Sequence, residues 1–308
     1  MTNARRWLWG LQAAVALVVV VLVARTVERN WAEFRSLEIH LHPRAGLLGL
    51  AMLGVFFAYA FYIEAWRLLL AGWGQRIGYR AAARVWCLAN LGRYVPGKIW
   101  SVTGLVVLAQ RAGVRGSAAA ASAVATQALV LGTGVAVVAG ATPHATSALR
   151  LAAGLFVALA SLGVLVWEPT ARWLGRLMNA QTPLTPLPLS AVGLSGAFMF
   201  LGWLTYGLVF WLFVRGLLPD AHLPFAIAAG AFTLSYILGT LALFAPGGIG
   251  VREVVMISLL TPALGSGGAV ATSVGSRVLL TVGEAAAALI AVALARRTTP
   301  SETPSESP

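Results

Sequence analysis

Two Pro-Gly pairs lie within apolar stretches of the chain, and each has charged residues beside it. The two motifs are Arg93-Tyr94-Val95-Pro96-Gly97-Lys98 and Pro246-Gly247-Gly248-Ile249-Gly250-Val251-Arg252-Glu253. Pro and Gly interrupt a helix, and at membrane depth the freed backbone groups are tolerated only where protein covers them or where they line a cavity. Cations beside the free N–H groups of a helix N-terminus suit an anion such as a phosphate. The motifs therefore indicate an anion-binding site built from interrupted helices.

In the first motif, Pro96 and Gly97 provide the break, and Arg93 and Lys98 flank it. Lys98 is the only lysine of the chain. Both cations are candidate ligands for an anionic headgroup, with Tyr94 placed to lie against it. In the alternative interpretation the two side chains reach to the cytoplasmic interface and only hold the segment in place. The sequence leaves both interpretations open.

In the second motif, Pro246 ends the preceding helix and three glycines follow: Gly247, Gly248 and Gly250. Because glycine adopts positive φ readily and lets a backbone come close to a ligand, these positions are candidate substrate contacts. Arg252 is the candidate cationic ligand, and Glu253 is favourably placed against the positive end of the following helix. The alternative is that Arg252 and Glu253 form an ion pair with each other.

Further charged residues lie within apolar stretches. Glu64 and Arg67 are three residues apart, so they share a helical face and are predicted to pair. Arg277 and Glu284 share a face of the last apolar stretch, and the default expectation is that each pairs with another helix. Glu64, Arg277 and Glu284 are also candidates for lining a substrate route, because ionisable residues inside a membrane are usually functional.

The sequence does not contain an arrangement typical of an enzyme. No HExxH motif is present, and the single cysteine, Cys87, excludes a CxxC metal site. The chain has one aspartate, Asp220, in a predicted loop, and its four histidines fall in predicted loops or span ends: His40, His42, His144 and His222. We therefore predict no catalytic residues, no metal site and no cofactor.

Composition places the chain among multi-pass membrane proteins. It has 308 residues, of which 59% are hydrophobic and 10% charged, and its mean hydropathy is +0.82. The net charge of +12 does not indicate nucleic-acid binding, because the arginines flank apolar runs instead of forming a basic groove.

Seven apolar runs are long enough to cross a bilayer, and six of them are predicted to be full spans: 8–24, 45–66, 117–140, 149–167, 189–214 and 268–295. The seventh, 224–244, is assigned to a hairpin. Two segments fit a re-entrant hairpin better, 81–110 around the first motif and 224–264 around the second. The arms of the first, 81–92 and 99–110, would each reach about 18 Å into a core of about 30 Å. The arm after the second motif, 253–264, is predicted to be similarly short and to end at Pro262. Its leading arm, 224–244, is long enough to cross, so the second hairpin is less clear-cut than the first.

The predicted fold is thus an all-α integral membrane protein with six spans and two hairpins, arranged as an inverted repeat. The arginine distribution favours a cytoplasmic N-terminus and C-terminus by the positive-inside rule. Residues 1–297 form the transmembrane domain, and the Ser-, Thr-, Pro- and Glu-rich tail 298–308 is predicted to be disordered in the cytoplasm.

With these motifs in place, the chain resembles the lysylphosphatidylglycerol synthase transmembrane region family, the flippase-like membrane part of bacterial multiple-peptide-resistance proteins. The matching residues are those of the two motifs, continued in the first by Ile99-Trp100-Ser101. In two-domain relatives the membrane part moves an aminoacylated lipid made by a soluble synthase domain. The resemblance implies a standalone member that lacks the synthase domain.

These observations lead to one functional prediction and one alternative. The protein is predicted to move an anionic or modified phospholipid, or a lipid-linked carrier, across the bacterial cytoplasmic or inner membrane. The alternative is a membrane subunit that binds a lipid for a partner glycosyltransferase or lipid synthase. The expected partner is a lipid with an anionic headgroup, with a membrane enzyme or a second copy of the chain as further candidates.

Overall fold

The computed structural model describes residues 43–94, 99–141, 147–177, 184–242 and 246–296. Every regular element within these ranges is a helix. The helices are α1 (Ala45–Gly72), α2 (Tyr79–Leu91), α3 (Ile99–Arg111), α4 (Gly116–Gly140), α5 (Ser147–Val166), α6 (Glu168–Leu177), α7 (Leu189–Leu217), α8 (Phe225–Leu241) and α9 (Val251–Arg296). Short 3₁₀ turns at Gly92–Tyr94 and Pro246–Gly248 lie at the two motifs.

Five of these helices are long and apolar enough to cross a membrane, namely α1, α4, α5, α7 and α9. The chain is therefore an all-α, multi-pass membrane protein, as its composition predicts. The predicted first span, 8–24, and the tail 298–308 lie outside the described residues, so the number of spans and the domain limits stay predictions.

The first motif lies between two short helices that pack against each other. α2 and α3 have 13 residues each, about 20 Å of helix against a hydrocarbon core of about 30 Å. Arg115, after α3, donates a hydrogen bond from Nη2 to the carbonyl oxygen of Trp73, after α1, at 3.1 Å. The α2–α3 pair therefore begins and ends at the same end of the bundle, as a hairpin does.

The second motif leads into a helix that folds back on itself. Gly265 breaks α9 with φ 69° and ψ 166°, a conformation open essentially to glycine alone. Glu253 contacts Arg277, and the Ser276 hydroxyl lies 3.8 Å from the sulfur of Met256, so the halves on either side of Gly265 run antiparallel. We call them α9a (251–264) and α9b (266–296).

The predicted limits of this arm, 253–264, agree with a break at Gly265, but the prediction that Pro262 ends it is wrong. The helix continues past this proline to the glycine, because only the glycine can adopt the conformation that reverses the chain.

The centre of the bundle is the contact between α1 and α7. Gly202 lets these helices approach so closely that a Cβ there would lie 2.8 Å from the ring of Tyr62. The Ser195 hydroxyl donates a hydrogen bond to the carbonyl oxygen of Ala65 at 2.9 Å. Small residues and interhelical hydrogen bonds of this kind hold membrane helices together.

The helix contacts come in matching pairs. α4 of the first half packs on α8 of the second half, and α9 of the second half packs on α2 of the first half. α1 and α7, one from each half, pack on each other. An inverted repeat would require this pattern, because it exchanges the two halves. The repeat itself stays a prediction.

One helix is missing from the sequence prediction. α6 is a ten-residue helix that follows the α5 span, with Trp173 and Leu177 exposed and an exposed ion pair between Glu168 and Arg172. Its amphipathic pattern is typical of a helix lying in the membrane interface. Pro169, at the first turn, is the sequence signal that predicts its start.

The predicted sidedness can be tested by labelling single cysteines. In a Cys87→Ala background, we expect Ala112→Cys, between α3 and α4, to react with an impermeant thiol reagent only from the cytoplasm. Asp220→Cys, between α7 and α8, should react only from the other side. Both positions are exposed. Labelling of both from one side of sealed cells would contradict the predicted topology.

Candidate functional site

A cavity of about 450 Å³ lies where the two motifs meet. The two 3₁₀ turns contact each other, and a Cβ placed on Gly247 would lie 3.6 Å from the carbonyl oxygen of Arg93. Side chains from α1, α2, α3, α4, α7, α8 and α9 line the space. The fold thus brings together two motifs that are some 150 residues apart in the sequence.

Arg93 is held in a buried polar network. Its Nη1 lies 2.9 Å from Glu284 Oε1 and 3.1 Å from the Tyr236 hydroxyl, and its Nη2 lies 2.6 Å from Asn90 Oδ1. The Tyr94 hydroxyl donates a 2.8 Å hydrogen bond to the other oxygen of Glu284. This carboxylate is only 3% exposed. The Arg93 charge is therefore already neutralised, and the pair ties the first motif to α9b.

Arg277 is neutralised in the same way by Glu253. The two side chains form an ion pair, and Arg277 also donates from Nη2 to the carbonyl oxygen of Gly247 at 3.2 Å. Glu253 Oε2 accepts a 2.6 Å hydrogen bond from the N–H of Gly250, at the start of α9a. The alternative in which Glu253 pairs with Arg252 is therefore wrong. The expectation that Arg277 and Glu284 each pair with another helix is confirmed.

Arg252 is the cation at this cavity that has no carboxylate partner among the described residues. It is 8% exposed and lines the cavity, and its Nη2 makes no hydrogen bond. Its guanidinium lies over the rings of Phe232 and Tyr236, at 5.0 and 5.2 Å from their centroids. These rings stabilise a cation but leave its charge uncompensated. The geometry suits an anion bound in the cavity.

Two hydroxyl groups in the cavity wall also lack a hydrogen-bond partner among the described residues. They belong to Tyr59 on α1 and Thr126 on α4. With Arg252 they provide three unsatisfied polar groups around one space, whereas buried polar groups are normally hydrogen-bonded. Sequence reasoning missed Tyr59 and Thr126, because a single hydroxyl within an apolar span gives no signal until its neighbours are known.

The other predicted site residues divide into three groups. Gly247, Gly248 and Gly250 have positive φ, as predicted for at least one of them, and the first two line the cavity. Pro246 begins the second 3₁₀ turn. Pro96, Gly97 and Lys98 lie outside the described residues, so their role as ligands stays a prediction.

Glu64 pairs with Arg67 as predicted, and Arg67 also donates from Nε to the carbonyl oxygen of Ile77 at 3.1 Å. This pair lies near the end of α1. Glu64 is not one of the residues that line the cavity, whereas Arg277 and Glu284, the other two candidates for lining a route, are.

Gly248→Ala is expected to be more damaging than Gly193→Ala. A Cβ at Gly248 would lie 2.8 Å from Cα of Gly239 in α8, and its φ of 72° disfavours alanine. Positive φ alone costs about 1 kcal/mol or more, and the clash with backbone adds about 1–3 kcal/mol. The matched control is Gly193→Ala, where the added Cβ meets nothing within 4 Å. Thermal unfolding in detergent measures both, and equal melting temperatures would contradict the prediction.

Two comparisons with known proteins were informative in different ways, and the family match agrees with a membrane architecture. A search of curated proteins finds no match. A family model described as the lysylphosphatidylglycerol synthase TM region matches residues 11–288, a range that includes both motifs and all the described residues that line the cavity. The chain therefore belongs to the lysylphosphatidylglycerol synthase transmembrane region family.

Proposed function

We propose that the protein translocates a lipid with an anionic headgroup, either a phospholipid, a modified phospholipid or a lipid-linked carrier, across the bacterial cytoplasmic membrane. The observation that carries the proposal is Arg252, a buried cation that lines a cavity and has no anionic partner among the described residues. A buried charge without a partner is strongly unfavourable. A phosphate group in the cavity would offset that cost and use the free Nη2 donor.

Two features favour transport over static binding. The cavity forms where two interrupted helical segments meet, which is the arrangement that transporters use for a substrate site. The Arg93–Glu284 and Arg277–Glu253 pairs attach both turns to α9b, so movement of that helix would act on both sides of the cavity. In the alternative function the same cavity holds a lipid for a partner enzyme, and the lipid does not cross.

A vesicle assay tests the proposal. The protein is reconstituted with phosphatidylglycerol or phosphatidylcholine that carries a fluorophore on an acyl chain, and bleaching by an impermeant reductant reports which leaflet the labelled lipid occupies. We expect the protein to accelerate exchange of the anionic phosphatidylglycerol more than that of the zwitterionic phosphatidylcholine.

Mass spectrometry of lipids that co-purify with the protein completes the test. An anionic lipid that binds without exchanging between leaflets would favour the alternative function. A protein that neither binds an anionic lipid nor exchanges one between leaflets would contradict both functions.

A further inference from the structure

We propose that a lipid headgroup enters the cavity sideways from the bilayer at Gln127 on α4, and that the Gln127 amide binds the headgroup at this mouth. This inference rests on the proposed function, and it adds the route by which the lipid enters and a residue that binds its headgroup. Of the residues that line the cavity in the described part of the chain, Gln127 is the one that is exposed at the protein surface. Val124, one turn earlier on α4, is also exposed but does not line the cavity, so this face of α4 meets the outside and the cavity opens at Gln127.

Gln127 lies at the middle of a membrane-spanning helix. α4 runs from Gly116 to Gly140 and is one of the apolar spans, so position 127 is about as far from either end as the helix allows. One turn earlier, Val124 is 37% exposed and presents an apolar side chain to the same surroundings. An opening at this position faces the hydrocarbon core instead of water.

The amide of Gln127 has no hydrogen-bond partner in the described ranges. An unpaired polar group in the hydrocarbon region costs several kcal/mol, and such residues are functional candidates by default. Leucine or valine at this position would avoid the penalty. A passing headgroup, rich in phosphate and ester oxygens, would satisfy the amide donors.

Unsatisfied polar groups continue from this mouth into the cavity. The Thr126 hydroxyl is buried next to Gln127 on the same helix, and Tyr59 and Arg252 lie on other walls of the cavity. Each of these three side chains has an atom that lacks a hydrogen-bond partner among the described residues. A headgroup that leaves Gln127 therefore meets hydrogen-bond donors up to the Arg252 cation. Its acyl chains would stay in the bilayer, beside apolar residues such as Leu131, which also lines the cavity.

Photo-crosslinking locates the mouth. Vesicles of phosphatidylcholine and phosphatidylglycerol receive a phosphatidylglycerol analogue with a diazirine in its headgroup, and adducts formed on illumination are mapped by mass spectrometry. We expect adducts at Gln127 and at residues inside the cavity. The comparison site is Leu201 on α7, which is 44% exposed near the middle of its span but lies outside the cavity lining, and we expect none there.

Matched variants test the role of the amide. Gln127→Leu should slow adduct formation inside the cavity and lipid exchange by about three- to tenfold, the change that one hydrogen bond is worth. It should not unfold the protein, because it removes an unpaired polar group from an apolar surface. Val124→Leu, one turn away on the same exposed face, should leave both rates unchanged.

The outcomes separate this inference from the proposed function. The entry site at Gln127 would be contradicted by adducts inside the cavity without adducts at Gln127, or by wild-type rates in Gln127→Leu. Either result would leave the proposed function standing. As many adducts at Leu201 as at Gln127 would show that both positions are simply exposed to lipid, and would also contradict an entry site at Gln127. A cavity without adducts in the wild-type protein would overturn the proposed function itself.

Discussion

Replacing Arg252 with methionine is expected to reduce exchange of anionic lipid by about 10- to 100-fold, the effect of losing a charged hydrogen bond. Exchange of a zwitterionic lipid should change much less, because the ammonium of its own headgroup already balances the charge of its phosphate. The measurement is the rate of leaflet exchange of labelled phosphatidylglycerol and phosphatidylcholine in vesicles. Methionine keeps most of the side-chain volume against Phe232 and Tyr236, so the change is mainly electrostatic.

The structure predicts that Arg252→Met folds normally. Arg252 has no carboxylate partner in the described part of the chain, so its removal leaves no buried anion without a counter-charge. The control is Arg277→Met, which would leave Glu253 unpaired and should lower the free energy of unfolding by about 3–5 kcal/mol. An Arg252→Met protein that unfolds as readily as Arg277→Met, or one that still prefers phosphatidylglycerol, would contradict a ligand role for Arg252.

The second large effect is expected for Glu284→Leu. This substitution removes the carboxylate that accepts from Arg93 and from the Tyr94 hydroxyl. Because Arg93 would remain as a partly buried cation without its carboxylate, we expect the free energy of unfolding to fall, by up to about 3–5 kcal/mol. Chemical or thermal unfolding in detergent measures the loss.

A double-mutant cycle separates pairing from packing. The double variant Arg93→Met with Glu284→Leu should recover much of the stability lost in Glu284→Leu, because apolar residues of similar volume often replace a buried ion pair without loss. Additive losses would show that the two residues do not depend on each other. If the double variant is stable and also transports normally, the Arg93–Glu284 pair has no role in moving α9b.

The sequence by itself determined the features that depend on local chemistry. Composition and apolar runs predicted a multi-pass, all-α membrane protein, because a chain this apolar cannot keep those runs in water. Pro246 and the glycines after it predicted an interrupted helix with positive φ, because few other residues tolerate that backbone. The pairing of Glu64 with Arg67 also follows from local spacing, since residues three apart share a helical face.

Only the tertiary structure decided which charges are neutralised and which one has no carboxylate partner within the described ranges. Arg252 and Glu253 are neighbours in the sequence, yet the reversal of the chain at Gly265 places Arg277 against Glu253 and leaves Arg252 in the cavity wall. Arg93 finds its carboxylate 191 residues away, at Glu284. Ion pairing depends on distances of a few ångströms between side chains, and between distant segments those distances are set by helix packing. The same packing leaves Gln127 exposed at the edge of the cavity, a position that no local pattern could predict.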